Sequence, residues 1–267
     1  MFEKVKDVPL PQGTISPWPS NLAVCWLDTR NITYVAIIQC NNVHIGNWDN
    51  KSNTDVIWDT IAPSEPNPND KTMEVTTVGL VHPNARNFPI AVIGTTKFIY
   101  IYDVKKANQK PLFSLPLSST LKDFLPCVGK DVGPYCRGVS CNDNTILVGS
   151  HSGEIVVIMC NGDSNFSTKK NLKVNAHSRP VNSVSVAPES AYVLTSSEDG
   201  TFLVSKLHTR KPHAYQVEHR FSDFQSTTSI VGAQFTNGRG SAIAVASYDN
   251  SSLIMFKIIK KSITSTQ

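Results

Sequence analysis

Seven histidines and six cysteines are the residues of this 267-residue chain best suited to metal or nucleophilic chemistry. Their spacing speaks against both. There is no Cys-x-x-Cys pair, and Cys136 and Cys141 have no histidine at zinc-ligand spacing. His44, His82, His151, His177, His208, His213 and His219 never fall four apart, as a helical metal pair requires. Gly149, Ser150, His151, Ser152 and Gly153 have the outline of a nucleophile elbow. The central residue is His, however, and the flanks read as strands, whereas the elbow needs a strand-to-helix turn. No Gly-x-x-x-x-Gly-Lys phosphate loop occurs. The expectation is a chain with no catalytic, cofactor-binding or metal-binding residues.

The bulk composition agrees. Charged residues make up only 17% of the chain, which suits β-rich better than helical structure. The net charge of +4 is mild, and the basic residues lie in scattered groups at 105–106, 169–170, 206–211 and 257–261. A nucleic-acid binder concentrates its charge on one face or in a longer run. Charges near the N-terminus, at Glu3, Lys4, Lys6 and Asp7, stand where a secretory apolar stretch would lie, and no run reaches a membrane span. The expectation is a reduced, cytoplasmic protein whose cysteines are small buried hydrophobes.

Residues such as His177 and Asp199 need a frame, and the frame is β-strand. Long stretches with helical periodicity are absent, while short β-branched and aromatic runs recur between Gly, Asn, Asp, Ser and Pro. The clearest unit has strands at 181–186, 191–196 and 201–207. Asp199 and Gly200 supply the tight hairpin before the third strand. Units of this kind read at 21–49, 74–104, 135–161, 177–208 and 228–259, with a looser fourth strand between some of them, at 112–117, 172–174 and 215–217. A period of about fifty residues with four short antiparallel strands is the signature of β-propeller blades. One blade cannot bury both faces alone, so blades stack around an axis. A β-sandwich has similar strands without turns grouped in triplets. The fold class expected is therefore all-β: a single β-propeller over residues 1–267. Residues 49–74, with Pro63, Pro66 and Pro68 among Asn and Asp, read as a mobile surface loop, and their prolines would suit a docking peptide.

Asn175, Ala176 and His177 before a strand, and Glu198 and Asp199 in the next hairpin, resemble the WD-repeat family. That family places a His before the first strand, a Ser or Thr in the second, an Asp in the hairpin and a Trp in the third. His177, Ser196 and Asp199 match three positions of this hydrogen-bonded tetrad. The fourth, expected near Ser205, has no Trp. Residues 21–34 and 172–258 carry the rest of the likeness, including Gly232, Ala233, Gln234 and Phe235, and Tyr248 with Asp249. The resemblance implies a WD-repeat-type propeller with no active site or cofactor. It also implies about seven blades where five are counted. The register jump between Ile158 and Leu172 marks the shortfall, and the ring is expected to be incomplete or open.

The function expected is a non-catalytic protein-interaction scaffold binding partners through rim loops. The resemblance places that rim at the loops before each first strand and after each second strand, which nominates Arg137, His151, Arg179, Glu198 and Tyr248. Arg and Tyr are favoured anchors at interface centres. The partners expected are other proteins, with self-association to complete a ring, and no nucleic acid. The alternative is a propeller that binds lipid or nucleic acid through the scattered basic groups.

Overall fold

The computed structural model describes residues 1–259 apart from 12–14, 16–17, 19–20, 52–54, 64–72, 84–85, 107–109, 117–135, 143–144, 151, 161–165, 209–215, 225–228 and 249. Among the described residues, twenty strands form five antiparallel four-stranded sheets. Strand β1 (Phe2–Pro9) opens the chain. Blade 1 follows as β2 (Leu22–Leu27), β3 (Ile32–Gln39), β4 (Asn42–Asp49) and β5 (Ile57–Ile61). Blade 2 is β6 (Val75–Val81), β7 (Ile90–Thr95), β8 (Phe98–Asp103) and β9 (Phe113–Pro116). Blade 3 is β10 (Cys136–Asn142), β11 (Thr145–Ser150), β12 (Glu154–Cys160) and β13 (Phe166–Asn175). Blade 4 is β14 (Val181–Ala187), β15 (Tyr192–Ser197), β16 (Thr201–Leu207) and β17 (Val217–Phe224). Blade 5 is β18 (Ile230–Phe235), β19 (Ala242–Ser247) and β20 (Ser252–Ile258), and β1 is its outer strand. Repeated sheets stacked by their inner strands are the propeller architecture that the fifty-residue period anticipated.

Two strands lay outside the sequence expectation. Residues 49–74 were read as a loop, yet Ile57–Ile61 is a strand in register with β4, pairing Ile61 with Val43 and Ile57 with Asn47. Prolines and amides dominate that stretch and mask five residues of alternating burial, from exposed Ile57 to buried Ile61. Strand β1 pairs Phe2 with Ile258 and Pro9 with Ser252, joining the two ends of the chain. The fourth strands also run longer than read: β13 has ten residues and β17 eight.

The core lies between blades. Val181, Val184 and Val186 of β14 pack with Leu147, Ile155 and Val157 of blade 3. Phe202, Phe235 and Phe256 cluster between blades 4 and 5, with the Phe202 and Phe256 rings in edge contact at 5.0 Å. All seven residues of β14 and all six of β19 are buried. Strands buried on both faces read as near-continuous apolar runs, but β14 alternates Val with Asn and Ser. Its hydroxyls explain the exception. Ser183 accepts from the backbone N–H of Ala233 at 2.9 Å, and Ser185 accepts from that of Phe235 at 3.2 Å. The inner edge of β18 has no strand partner, so hydroxyls of the neighbouring blade satisfy donors that would otherwise be buried and unpaired. Inner-strand packing joins β10 to β14, β14 to β18, β18 to β2 and β2 to β6. No comparable packing joins β6 to β10 among the described elements.

Candidate interaction face

The loops at one end of the ring share a backbone lock. The turn after the second strand donates to the residue just before the first strand. Thr96 N–H reaches Glu74 O at 2.9 Å in blade 2, Glu198 N–H reaches Pro180 O at 3.1 Å in blade 4, and Tyr248 N–H reaches Ser229 O at 2.8 Å in blade 5. In blade 1, Ile38 N–H reaches Asn21 O at 3.2 Å. Two loops distant in sequence are thereby clamped side by side, and whatever side chains they carry are held on rigid sheets.

Blade 4 shows the lock in most detail. His177 is buried, with Nδ1 3.0 Å from Thr201 Oγ1 and 3.3 Å from Asp199 Oδ2. Nε2 lies 2.9 Å from Thr195 Oγ1. The Thr201 hydroxyl donates to Asp199 Oδ1, as does the Thr201 N–H at 2.9 Å, and the Ser178 N–H donates to Oδ2 at 2.9 Å. With the Thr201 proton committed to Asp199, the network assigns the imidazole proton to Nδ1 and leaves Nε2 to accept from Thr195. Burial holds His177 below its ordinary pKa, outweighing the upward pull of the Asp199 charge and hydrogen bond. Burial alone would raise Asp199. The Thr201 and Ser178 donors instead keep it below the usual carboxylate value. A buried, neutral histidine held between a threonine and a carboxylate acts as a structural pin.

The sequence expectation for this pin needs one correction. His177 and Asp199 do meet, but Ser196 is not in the network. Its hydroxyl lies 2.7 Å from that of Ser183 and faces blade 5. Thr195 takes the place assigned to Ser196, because successive strand residues point to opposite faces. The residue opposite Thr195 on the third strand is Leu203, so no indole completes the set. The tryptophan lock that sequence reasoning missed is in blade 1. Trp48 Nε1 donates to Asn50 Oδ1 at 3.0 Å, and Asn50 Nδ2 donates to Thr33 Oγ1 at 3.0 Å. Thr33 then reaches Thr236 O of blade 5 at 3.4 Å. Thr33 and Trp48 are cross-strand partners, a pairing that becomes visible only once the β3–β4 register is known.

Of the five nominated rim residues, Arg179, Glu198 and Tyr248 are described at this end of the ring. Arg179 and Tyr248 are exposed, Tyr248 by 40%, and Glu198 is half-buried. The structure brings Arg179 and Glu198 together: Arg179 O accepts from Ser197 Oγ at 3.1 Å, one residue before Glu198. Tyr248 belongs to the equivalent turn of the next blade. His151 and the Arg137 side chain lie outside the described residues. Among the described residues no group of three His, Cys, Asp or Glu could hold a metal. Two of the basic groups are engaged within the chain. Lys105 Nζ sits 3.6 Å from the Phe88 ring centroid, and Lys206 donates to the Ser190 carbonyl.

Comparison with known proteins bears on the same region. The family model WDR54 matches residues 136–259. The rat WD repeat domain 54 protein is 32% identical over 87 residues, which are 32% of this chain and 26% of the relative. Human WD repeat-containing protein 54 is 28% identical over 130 residues, 48% of this chain and 37% of the relative. The matches thus span about a quarter to somewhat over a third of the relatives' own length. Among solved structures, a chain of a mitotic checkpoint complex crystal structure aligns with TM-score 0.45 and 12% identity, over 97% of this chain and 96% of that one. Raptor from Chaetomium thermophilum aligns with TM-score 0.47 and 13% identity, over 94% of this chain and 29% of that one. The architecture itself rests on the five four-stranded sheets described above. The chain is a β-propeller of four-stranded blades, similar over residues 136–259 to the WDR54 family.

Proposed function

We propose that this chain is a non-catalytic scaffold that holds a partner protein on the rim formed by the loops before the first strands and after the second strands. WD-repeat propellers in general serve as protein-interaction scaffolds, and the exposed Arg179 and Tyr248 on this rim support the same role here. The observation that carries the reading is the repeated backbone lock, which presents Arg179, Glu198 and Tyr248 from rigid, adjacent blades. Preset side chains lose less freedom on binding, so such a rim binds at lower entropic cost than a mobile loop. Tyr and Arg are effective anchors because each offers a large contact area together with a polar tip. The His177–Asp199 pair is packed within its own blade, with the His177 side chain fully buried and that of Asp199 nearly so. No helix among the described residues is long and apolar enough to cross a membrane. A single propeller domain working in the cytoplasm is part of the same proposal.

Affinity capture with the wild-type chain and with Arg179→Glu and Tyr248→Ala variants tests it. A partner protein should be retained by the wild type and lost from both variants, with melting temperatures unchanged. Capture that is indifferent to both substitutions would overturn the rim assignment.

A further inference from the structure

Three connections meet at one aromatic side chain where blade 1 adjoins blade 2. The 3-10 turn Asp28–Arg30 joins β2 to β3, residues 82–89 join β6 to β7, and the 3-10 turn Val104–Lys106 follows β8. Strands within a blade alternate in direction, so all three connections lie at the end of the propeller opposite the backbone lock. Phe88 is the shared side chain, half-buried on the core between the two blades. The Arg30 guanidinium carbon lies 4.8 Å from its ring centroid, and Lys105 Nζ lies 3.6 Å from the same point. Two exposed cations thus stand on one benzyl ring, whose quadrupole attracts each of them but leaves their charge uncompensated. Both are held in place. Arg30 also donates to Asn87 Oδ1 at 3.5 Å, and the Lys105 N–H donates to Asp103 Oδ1 at 3.0 Å. Asp103 shapes this turn, but its other carboxylate oxygen is paired with Arg86 at 2.7 Å. Among the described residues no carboxylate pairs with Arg30 or Lys105, and the buried Nε of Arg86 has no acceptor. The corner has cationic donors in excess of acceptors.

We propose that this corner binds an acidic segment of a partner protein, with a carboxylate seated between Arg30 and Lys105. It is a second contact surface, at the opposite end from the rim, and it does not depend on the rim reading. Charge complementarity selects an anion, and a guanidinium beside an ammonium offers a carboxylate several charged donors at once. The surroundings select a narrow one. Asp28, Asp49, Asp55 and Glu189 are exposed at the same end of the propeller. A broad anionic surface, whether membrane or nucleic acid, would be pressed against these carboxylates, and like charges brought together at an interface are repelled. A peptide can engage the corner and pass beside them. Cations already held over an aromatic ring also lose little freedom when the peptide arrives.

Fluorescence anisotropy of a labelled poly-glutamate peptide titrated with the whole chain is the test. Binding is expected at low salt and should weaken as salt is raised. Arg30→Glu with Lys105→Glu should lower the affinity about tenfold or more at an unchanged melting temperature, since two ion pairs are lost and reversed. The neutral pair Arg30→Gln with Lys105→Gln should fall between this variant and the wild type. Arg239→Glu with Lys257→Glu makes the same charge change on blade 5 at the same end and should bind as the wild type does. Tyr248→Ala should also bind normally, which separates this corner from the rim. Equal losses in the blade 5 variant would mean that net charge alone draws the peptide, and would overturn the proposal. So would a wild type that ignores poly-glutamate, or one that is instead retained on phosphatidylserine vesicles or on DNA through Arg30 and Lys105.

Discussion

A hydrogen-bonded histidine that must stay neutral ties stability to pH. His177 has its folded pKa pushed below the ordinary value of 6.5. The unfolded chain therefore takes up a proton that the folded chain resists, and stability falls as pH drops below about 6.5. Above that value the contribution is fully present. Asp199 is lowered too, but as an acid its contribution is lost only as pH falls below about 3.8 through its folded pKa. Urea unfolding at pH 7 and pH 5 should show the loss, and His177→Gln should reduce it without abolishing it. His44, also held low by burial, titrates in the same direction. The variant should in addition cost about 1–3 kcal/mol at pH 7, because Thr195 and Asp199 lose a partner. An unchanged difference between the two pH values would show that His177 is not the group responsible. The sequence carried His177 and Asp199 plainly. It misassigned the hydroxyl partner by one residue, and neighbouring residues of a strand point to opposite faces.

At the scale of elements, the turns and the closing strand decide how blades meet. Gly153 has φ +84 and sits against the His177 and Arg179 carbonyls. Its own carbonyl accepts from Ala176 and His177 N–H, so this turn joins blade 3 to the pinned segment of blade 4. Gly153→Ala adds a methyl that meets backbone and forces a left-handed conformation on a residue that disfavours it. A loss of roughly 1–3 kcal/mol is expected in denaturant unfolding, and a neutral result would mean that the turn can move aside. Phe2 plays the matching part at the other end, buried in the blade 5 cluster with Phe221 5.4 Å away. Phe2→Ala should cost about 3 kcal/mol and deletion of residues 1–9 more, read as a lowered melting temperature. A truncation without effect would show that β1 does not close the ring. No local pattern announced β1. Its charged, alternating residues look like any exposed segment, and the strand they join lies at the opposite end of the chain. Strand β5 was hidden for a related reason, its partner register being set by β4 rather than by its own composition.

At the scale of the whole molecule, the rim collects loops that the sheets hold still. Rim substitutions should remove a partner protein and leave the melting temperature unchanged. A rim variant that lowered the melting temperature would show that Arg179 or Tyr248 belongs to the blade packing instead.

The chain by itself determined the strand grammar, the five-fold repetition of a unit of about fifty residues, and the presence of a His and an Asp poised around one hairpin. Those are local matters: alternation, turn chemistry and spacing act within a few residues of each other. Tertiary structure alone decided the rest. It set which hydroxyl meets His177, which N–H groups Ser183 and Ser185 serve, and where β1 lies. Each of these depends on pairing register or on contact between blades remote in sequence, and neither leaves a mark on the residues before the sheets have closed.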